Sequence, residues 1–141
     1  MKKATLIVSF SLLFILQLVI YSCQEENTVP DPTDPRANFL GLWSVNEQWT
    51  KLTYEVNISN DPNSDDGVYL ENFAGSGSGV YTHAKVSGNN ITITPLPQTL
   101  SNDWIISSGS GALSGTTKMN WNYVFEDEAN TYTAIATFTK K

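Results

Sequence analysis

Few residues in this chain have side chains suited to catalysis or metal binding. His83 is the only histidine and Cys23 the only cysteine among 141 residues, so the sequence lacks the ligand cluster that zinc requires. His83 alternates with Tyr81 and Lys85 on the more polar side of a predicted strand, which favours an exposed side chain over a general base. The serines lie among glycines without a Gly-x-Ser-x-Gly elbow. We therefore expect no enzymatic activity and no cofactor.

An acidic segment at residues 61–67 could bind a hard cation, because oxygen ligands at alternate positions suit calcium. An EF-hand loop in this register needs glycine at position 66 and glutamate at position 72, where the chain has Asp66 and Asn72. The sequence favours a solvated hairpin loop, with a calcium site as the alternative.

Aromatic side chains are the remaining candidates for ligand contacts. Their rings suit an apolar ligand or a sugar, although in a small barrel they also simply fill the interior. A ligand site inside the barrel requires a cavity of roughly 300 Å³ or more, whereas filling leaves no space. The predicted ligand-binding residues are Trp43, Tyr54, Trp104, Trp121, Tyr123 and Tyr132.

The elements that carry these residues are predicted to be strands. Apolar residues alternate with period two from about residue 38 to the end, and no window has the spacing of an amphipathic helix. Short connections favour an antiparallel up-and-down meander, which can close into a small all-β barrel without free edges. The eight predicted strands are Leu42–Gln48, Leu52–Ser59, Val68–Phe73, Val80–Val86, Ile91–Thr94, Asp103–Ser110, Thr116–Glu126 and Thr131–Thr139.

The first 22 residues are typical of a secretory signal peptide. Lys2 and Lys3 precede a mostly apolar run over residues 6–20, and Ser22 is a small residue at the predicted cleavage site. The alternative, a permanent membrane helix, is disfavoured because the run falls short of the roughly 20 residues that span a bilayer.

The next segment, residues 23–37, is predicted to be an extended linker. Pro30, Pro32 and Pro35 lie too close together for a helix or a sheet ladder. Removing residues 1–22 deletes two of the eight basic residues and none of the fourteen acidic ones, so the mature chain carries a net charge of −8. This charge opposes binding to nucleic acid, which needs a basic surface.

The four residues Ile20-Tyr21-Ser22-Cys23 resemble a bacterial lipobox. The resemblance implies that Cys23 carries lipid chains that attach the protein to a membrane. Gln24, where lipoproteins retained in the inner membrane of enteric bacteria carry aspartate, implies an outer-membrane location. The acidic pair Glu25 and Glu26 is either a surface-export signal or a solvated tail, so the periplasmic and the surface-exposed location both stay open.

The start of the domain, Gly41-Leu42-Trp43, resembles the first strand of lipocalins and other calycins. Later segments, among them residues 68–73, 86–93 and 109–115, resemble successive blocks of small lipocalin-like lipoproteins of Gram-negative envelopes. The resemblance covers residues 38–141 and implies a calycin-like barrel. Lipocalins stack an arginine on this tryptophan; here the only arginine is Arg36 in the linker, and Lys118 or Lys140 is the candidate substitute.

Together these observations predict an envelope-anchored lipoprotein whose lipocalin-like barrel, residues 38–141, binds a small apolar ligand or a glycan. The alternative is a non-enzymatic interaction or structural subunit that docks onto another envelope protein. The docking alternative expects a filled barrel and an exposed apolar patch.

Overall fold

The computed structural model describes residues 33–101 and 104–141, so the predicted signal peptide, Cys23 and most of the predicted linker lie outside the described residues. Within them the chain is almost entirely β-structure. The strands are β1 Gly41–Glu47, β2 Thr53–Asn60, β3 Gly67–Glu71, β4 Tyr81–Ser87, β5 Asn90–Ile93, β6 Gln98–Thr99, β7 Ile105–Leu113, β8 Lys118–Glu126 and β9 Thr131–Lys140.

Eight of these strands form a closed antiparallel barrel in meander order. Each pairs with its neighbour in sequence, β9 returns to β1, and β5 pairs with β7 to complete the ring. The two-residue strand β6 pairs only with β7 and lies outside this ring. The all-β fold and the closed eight-stranded meander predicted from the alternation are thereby confirmed.

The barrel interior is filled by large side chains of β8 that face small residues on both neighbouring strands. Trp121 pairs across the sheet with Gly111 and Ala136, and Tyr123 pairs with Gly109 and Ala134. A Cβ at residue 111 would stand 2.5 Å from Cε2 of Trp121, so only glycine leaves room for the indole. Large and small residues thus interdigitate, as dense packing requires.

The connection from β3 to β4 contributes a further ring to the core. The predicted third strand, Val68–Phe73, ends at Glu71 instead, because Asn72 adopts a left-handed conformation with φ 63°. Its side chain accepts a bond from Gly77 N at 2.7 Å and donates to Glu55 O at 2.7 Å, which fixes the turn. Phe73 therefore turns inward, fully buried, with its ring centroid 5.0 Å from that of Trp121.

One end of the barrel is closed by the segment that leads into β1. Trp43 is fully buried, and its indole N–H donates to Phe39 O at 2.7 Å. Gly41 adopts φ 110°, a conformation that favours glycine. The Nζ atom of Lys140 lies 5.3 Å from the centroid of the Trp43 ring. Of the two candidate lysines, Lys140 therefore occupies the position over this ring.

The same end carries a clamp between the predicted linker and the β2–β3 loop. The Arg36 guanidinium donates to the carbonyl oxygens of Asp61, Ser64 and Gly67 at 3.2, 2.6 and 3.3 Å, and to the Asp34 carboxylate at 2.9 Å. This hydrogen-bonded ion pair lowers the pKa of Asp34. The Arg36 guanidinium therefore supplies the positive charge at the carbonyl oxygens of the acidic loop.

Candidate functional site

A pocket of about 200 Å³ lies at the end of the barrel opposite the Arg36 clamp. We call this end the mouth; it is formed by the β1–β2 and β8–β9 hairpins, the β3–β4 turn and the segment that precedes β7. Because β1 begins at the closed end and ends at the mouth, the chain enters the barrel away from the pocket. The residues that line the pocket are Glu47, Trp49, Thr50, Ala74, Gly75, Leu100, Ser101, Trp104 and Phe125.

One side of the pocket is a wall of aromatic rings. The ring centroid of Phe125 lies 4.7 Å from that of Trp104 and 5.4 Å from that of Trp49. Tyr132 packs behind these rings, 5.2 Å from Phe125 and 4.9 Å from Trp49. Trp49 remains 48% exposed, so part of its ring is accessible to a ligand from solvent. The wall offers flat apolar faces of the kind found in small-molecule sites.

The rest of the pocket lining includes a short turn that is hydrogen-bonded to the segment before β7. Ala74 and Gly75 contribute the turn, and Leu100 and Ser101 contribute the segment. The Ser101 hydroxyl donates to Ser76 O at 2.5 Å, which joins the two. A hydrogen bond therefore links the two loops that contribute to the pocket lining.

A buried carboxylate lies at the base of the pocket. Glu47 is 3% exposed; its Oε1 accepts a hydrogen bond from the Tyr123 hydroxyl at 2.5 Å, and its Oε2 accepts one from Thr50 Oγ1 at 2.7 Å. The Tyr54 hydroxyl lies 3.4 Å from that of Tyr123 and extends this polar row. The inward position of Glu47 follows from the alternation in β1, where Trp43, Val45 and Glu47 all face the interior.

The two tyrosines of this row are held in their neutral form. Burial raises the pKa of Tyr123, and the neighbouring Tyr54 and the Glu47 carboxylate raise it further. Burial also raises the pKa of Tyr54, although its hydrogen bond with Tyr123 acts in the opposite direction. Protonated phenols donate hydrogen bonds, so Tyr123 serves as a fixed donor to Glu47.

The six predicted ligand-binding residues are divided between the core and the mouth. Trp43 and Trp121 are fully buried and Tyr123 is 1% exposed, so these three fill the interior. Trp104 lines the pocket, while Tyr132 supports its aromatic wall. Tyr54 is half-buried beside Tyr123. The structure brings Trp104 and Tyr132 together, with ring centroids 5.6 Å apart, and separates them from the residues at the closed end.

Sequence reasoning missed several pocket residues as candidates. Trp49 and Thr50 lie in a hairpin turn, and Leu100 and Ser101 lie beside the short strand β6, which was not predicted. Glu47 was not singled out, although the alternation in β1 placed it on the same face as Trp43. That single acidic residue in an inward position was the signal available in the sequence.

A second depression, of about 340 Å³, lies on the outer wall and is larger than the mouth pocket. Its lining combines polar residues such as Ser108, Ser110 and Asn122 with Leu96 and Val124. His83 is exposed on the outer face of β4, with its ring centroid 4.6 Å from that of Tyr69. Residues 33–101 and 104–141 contain no group of three or more metal-binding side chains. In the same described part of the chain, no helix has the length and apolar character needed to cross a membrane.

No protein-family model and no curated protein sequence matches this chain. A solved structure described as a redesigned beta barrel matches it with a TM-score of 0.51 and 11% sequence identity, over 79% of this chain and 99% of that chain. At so low an identity the likeness concerns the fold alone, so this chain is similar in fold to a designed β-barrel.

Proposed function

We propose that this chain is a non-enzymatic, envelope-anchored lipoprotein whose lipocalin-like barrel binds a small apolar ligand or a glycan at its mouth. The observation that carries the proposal is the mouth pocket, which combines exposed aromatic faces with a few polar groups. Because Trp121, Tyr123 and Phe73 fill the interior, the mouth is the end of the barrel at which we propose binding.

The direction of the chain supports this arrangement. A tether that leads from Cys23 reaches the barrel at the closed end, where Arg36 fixes the last part of the linker to the β2–β3 loop. The mouth is then the end of the barrel farther from the point at which the proposed tether attaches. The proposed outer-membrane location, whether periplasmic or surface-exposed, is compatible with this orientation.

Native mass spectrometry of the protein extracted gently from its host envelope tests the binding proposal. We expect a stoichiometric small-molecule adduct on the native chain and its loss from the Trp104→Ala variant. Trp104 is the informative position because it lines the pocket without belonging to the fully buried core. Tyr81→Ala, on the outer face of β4, is the matched control and should retain the adduct. An adduct that survives Trp104→Ala unchanged would place the ligand elsewhere.

The anchor is tested separately at Cys23, which lies outside the described residues. We expect acyl mass on Cys23 in the native protein and a soluble, unacylated product from Cys23→Ser. Continued membrane fractionation of that variant would contradict acylation as the means of attachment.

The docking alternative has two specific observations in its favour, and the first is the filled interior that it expects. The β1–β2 hairpin exposes two large apolar side chains at the mouth, Trp49 at 48% and Leu52 at 60%. Cross-linking in intact envelopes through a photoreactive residue at position 52 distinguishes the two functions. Capture of one stoichiometric protein partner, together with a bare mass for the extracted chain, would favour the docking subunit.

A further inference from the structure

The carboxylate of Glu47 is buried without a cationic partner. Among the described residues, its side chain accepts hydrogen bonds from neutral hydroxyls, those of Tyr123 and Thr50. Lys51, in the same hairpin, forms no ion pair with it. Within the described part of the chain, the ion pairs involve Asp34, Asp66 and Glu55 instead. Glu47 is therefore a buried acidic group whose electrostatic complement is not supplied by the described residues.

A buried charge of this kind ordinarily has a partner of opposite sign, because removing an ion from water is costly unless it is paired. The hydroxyl donors offset part of that cost and fix the position of both oxygens. Each oxygen retains further acceptor capacity, since an ionised carboxylate offers about four lone-pair sites. Glu47 is one of the residues that line the pocket.

The aromatic wall has the same electrostatic preference as the carboxylate. Ring faces carry the negative part of the aromatic quadrupole, and they attract cations within about 6 Å of the ring centroid. Trp49, Trp104 and Phe125 present such rings in the pocket that Glu47 closes at its base. The overall acidic balance of the chain adds a long-range attraction for positive ligands.

We propose that the mouth pocket binds an organic cation, with the ammonium group of the ligand against Glu47 and its methyl or methylene groups against the aromatic wall. This inference rests on the proposed function and narrows the ligand to one that has an ammonium group in addition to an apolar or sugar-like part. A primary amine donates hydrogen bonds to the carboxylate, and a quaternary ammonium pairs with it through charge and ring contacts.

Matched probes separate charge from shape. Choline and 3,3-dimethylbutan-1-ol differ mainly in the replacement of the ammonium nitrogen by carbon, and methyl glucoside represents an uncharged sugar. Titration of the full-length protein, followed by tryptophan fluorescence and calorimetry, should give binding of choline at least about tenfold tighter than binding of the neutral alcohol. Glu47→Gln should weaken choline about tenfold or more and leave the alcohol unchanged.

Two variants make the result specific. Glu128→Gln removes the same charge from an exposed position in the β8–β9 hairpin at the mouth and should leave choline binding within about twofold. Trp104→Ala should weaken both choline and the neutral alcohol, because both contact the wall. Circular dichroism of each variant confirms that it is folded.

The outcomes separate this inference from the function on which it rests. Equal affinity for choline and the alcohol, or choline binding unaffected by Glu47→Gln, overturns the cation inference. If Trp104→Ala still abolishes the binding of the alcohol or of methyl glucoside, the proposed function stands. If no probe binds at millimolar concentration, and no adduct is found on the native chain, both are overturned.

Discussion

Replacing Trp43 with alanine is the most direct test of how the closed end holds the barrel together. The side chain is fully buried, its N–H is bonded to Phe39 O, and Lys140 lies over its ring. Alanine would remove all three interactions and leave a cavity in the barrel interior at the closed end.

The expected cost follows from these contacts. Truncation of a buried tryptophan to alanine costs about 3 to 5 kcal/mol. The carbonyl of Phe39 loses its donor, and a buried acceptor without a partner costs about 1 to 3 kcal/mol. Since the contributions overlap, we expect the free energy of unfolding to fall by about 5 kcal/mol. A domain of this size has about 5 to 15 kcal/mol in total, so the variant is close to unfolded.

Denaturation by guanidinium chloride, followed by far-ultraviolet circular dichroism, measures this change. Trp43→Phe keeps most of the ring volume but loses the hydrogen bond, and should cost about 2 kcal/mol. Leu42→Ala is the control on the adjacent, outward position, 39% exposed, and should cost less than about 1 kcal/mol. If Trp43→Ala and Leu42→Ala lower the free energy of unfolding equally, the reasoning about the closed end is refuted.

Three further predictions concern other parts of the barrel. Gly111→Ala should lower the free energy of unfolding by about 1 to 3 kcal/mol in chemical denaturation, because its Cβ would meet the Trp121 ring. Tyr54 and Tyr123 should resist ionisation in phenolate absorbance measurements, since burial raises the pKa of both. The phenols of the unfolded chain ionise at about pH 10. The contribution of the two tyrosines to the free energy of unfolding is therefore complete below about pH 10 and declines above it. Arg36→Gln should cost about 1 to 3 kcal/mol, because three carbonyls lose a charged donor.

Each of these predictions has a control or a contradicting result. Ser110→Ala, on the outward position beside Gly111, should be within about 0.5 kcal/mol of the native protein. Lys85→Gln removes the exposed partner of Asp66 at the same loop as Arg36 and should cost less than about 1 kcal/mol. The tyrosine prediction is contradicted if every phenol ionises in one step before the circular dichroism changes.

The alternation in the sequence was sufficient to predict which residues face inward wherever a strand is regular. Thr82, Ala84 and Val86 are buried between exposed neighbours in β4, as the pattern indicated. The same holds for residues 121, 123 and 125 in β8. Period two determines the face because successive side chains point to opposite sides of a sheet. The closed order of the strands followed from the short connections.

The features that alternation could not predict depend on contacts between distant parts of the chain. In a continued β3, Phe73 would share the outward face of Tyr69 and Glu71, but the left-handed Asn72 redirects it into the core. Gln98 pairs its side-chain amide with both backbone groups of His83 at 2.8 Å, which supports the short strand β6. Arg36 contacts residues 25 to 31 positions away. Such partners are set by the folded chain, and no local pattern encodes them.

The filled interior of this barrel has a consequence for where any ligand can bind. Eight strands enclose a space just wide enough for side chains, and rings from β1, β8, β9 and the β3–β4 turn occupy it. The closed end is covered by Phe39, Trp43 and the loop that Arg36 clamps. Within the described residues, the mouth has a pocket beside the exposed ring of Trp49, and Glu47 is buried there without an ion-pair partner from the described side chains. An unpaired carboxylate would be a costly choice for a residue that only filled space. The position of this carboxylate in the pocket is the observation from which the organic-cation ligand is inferred.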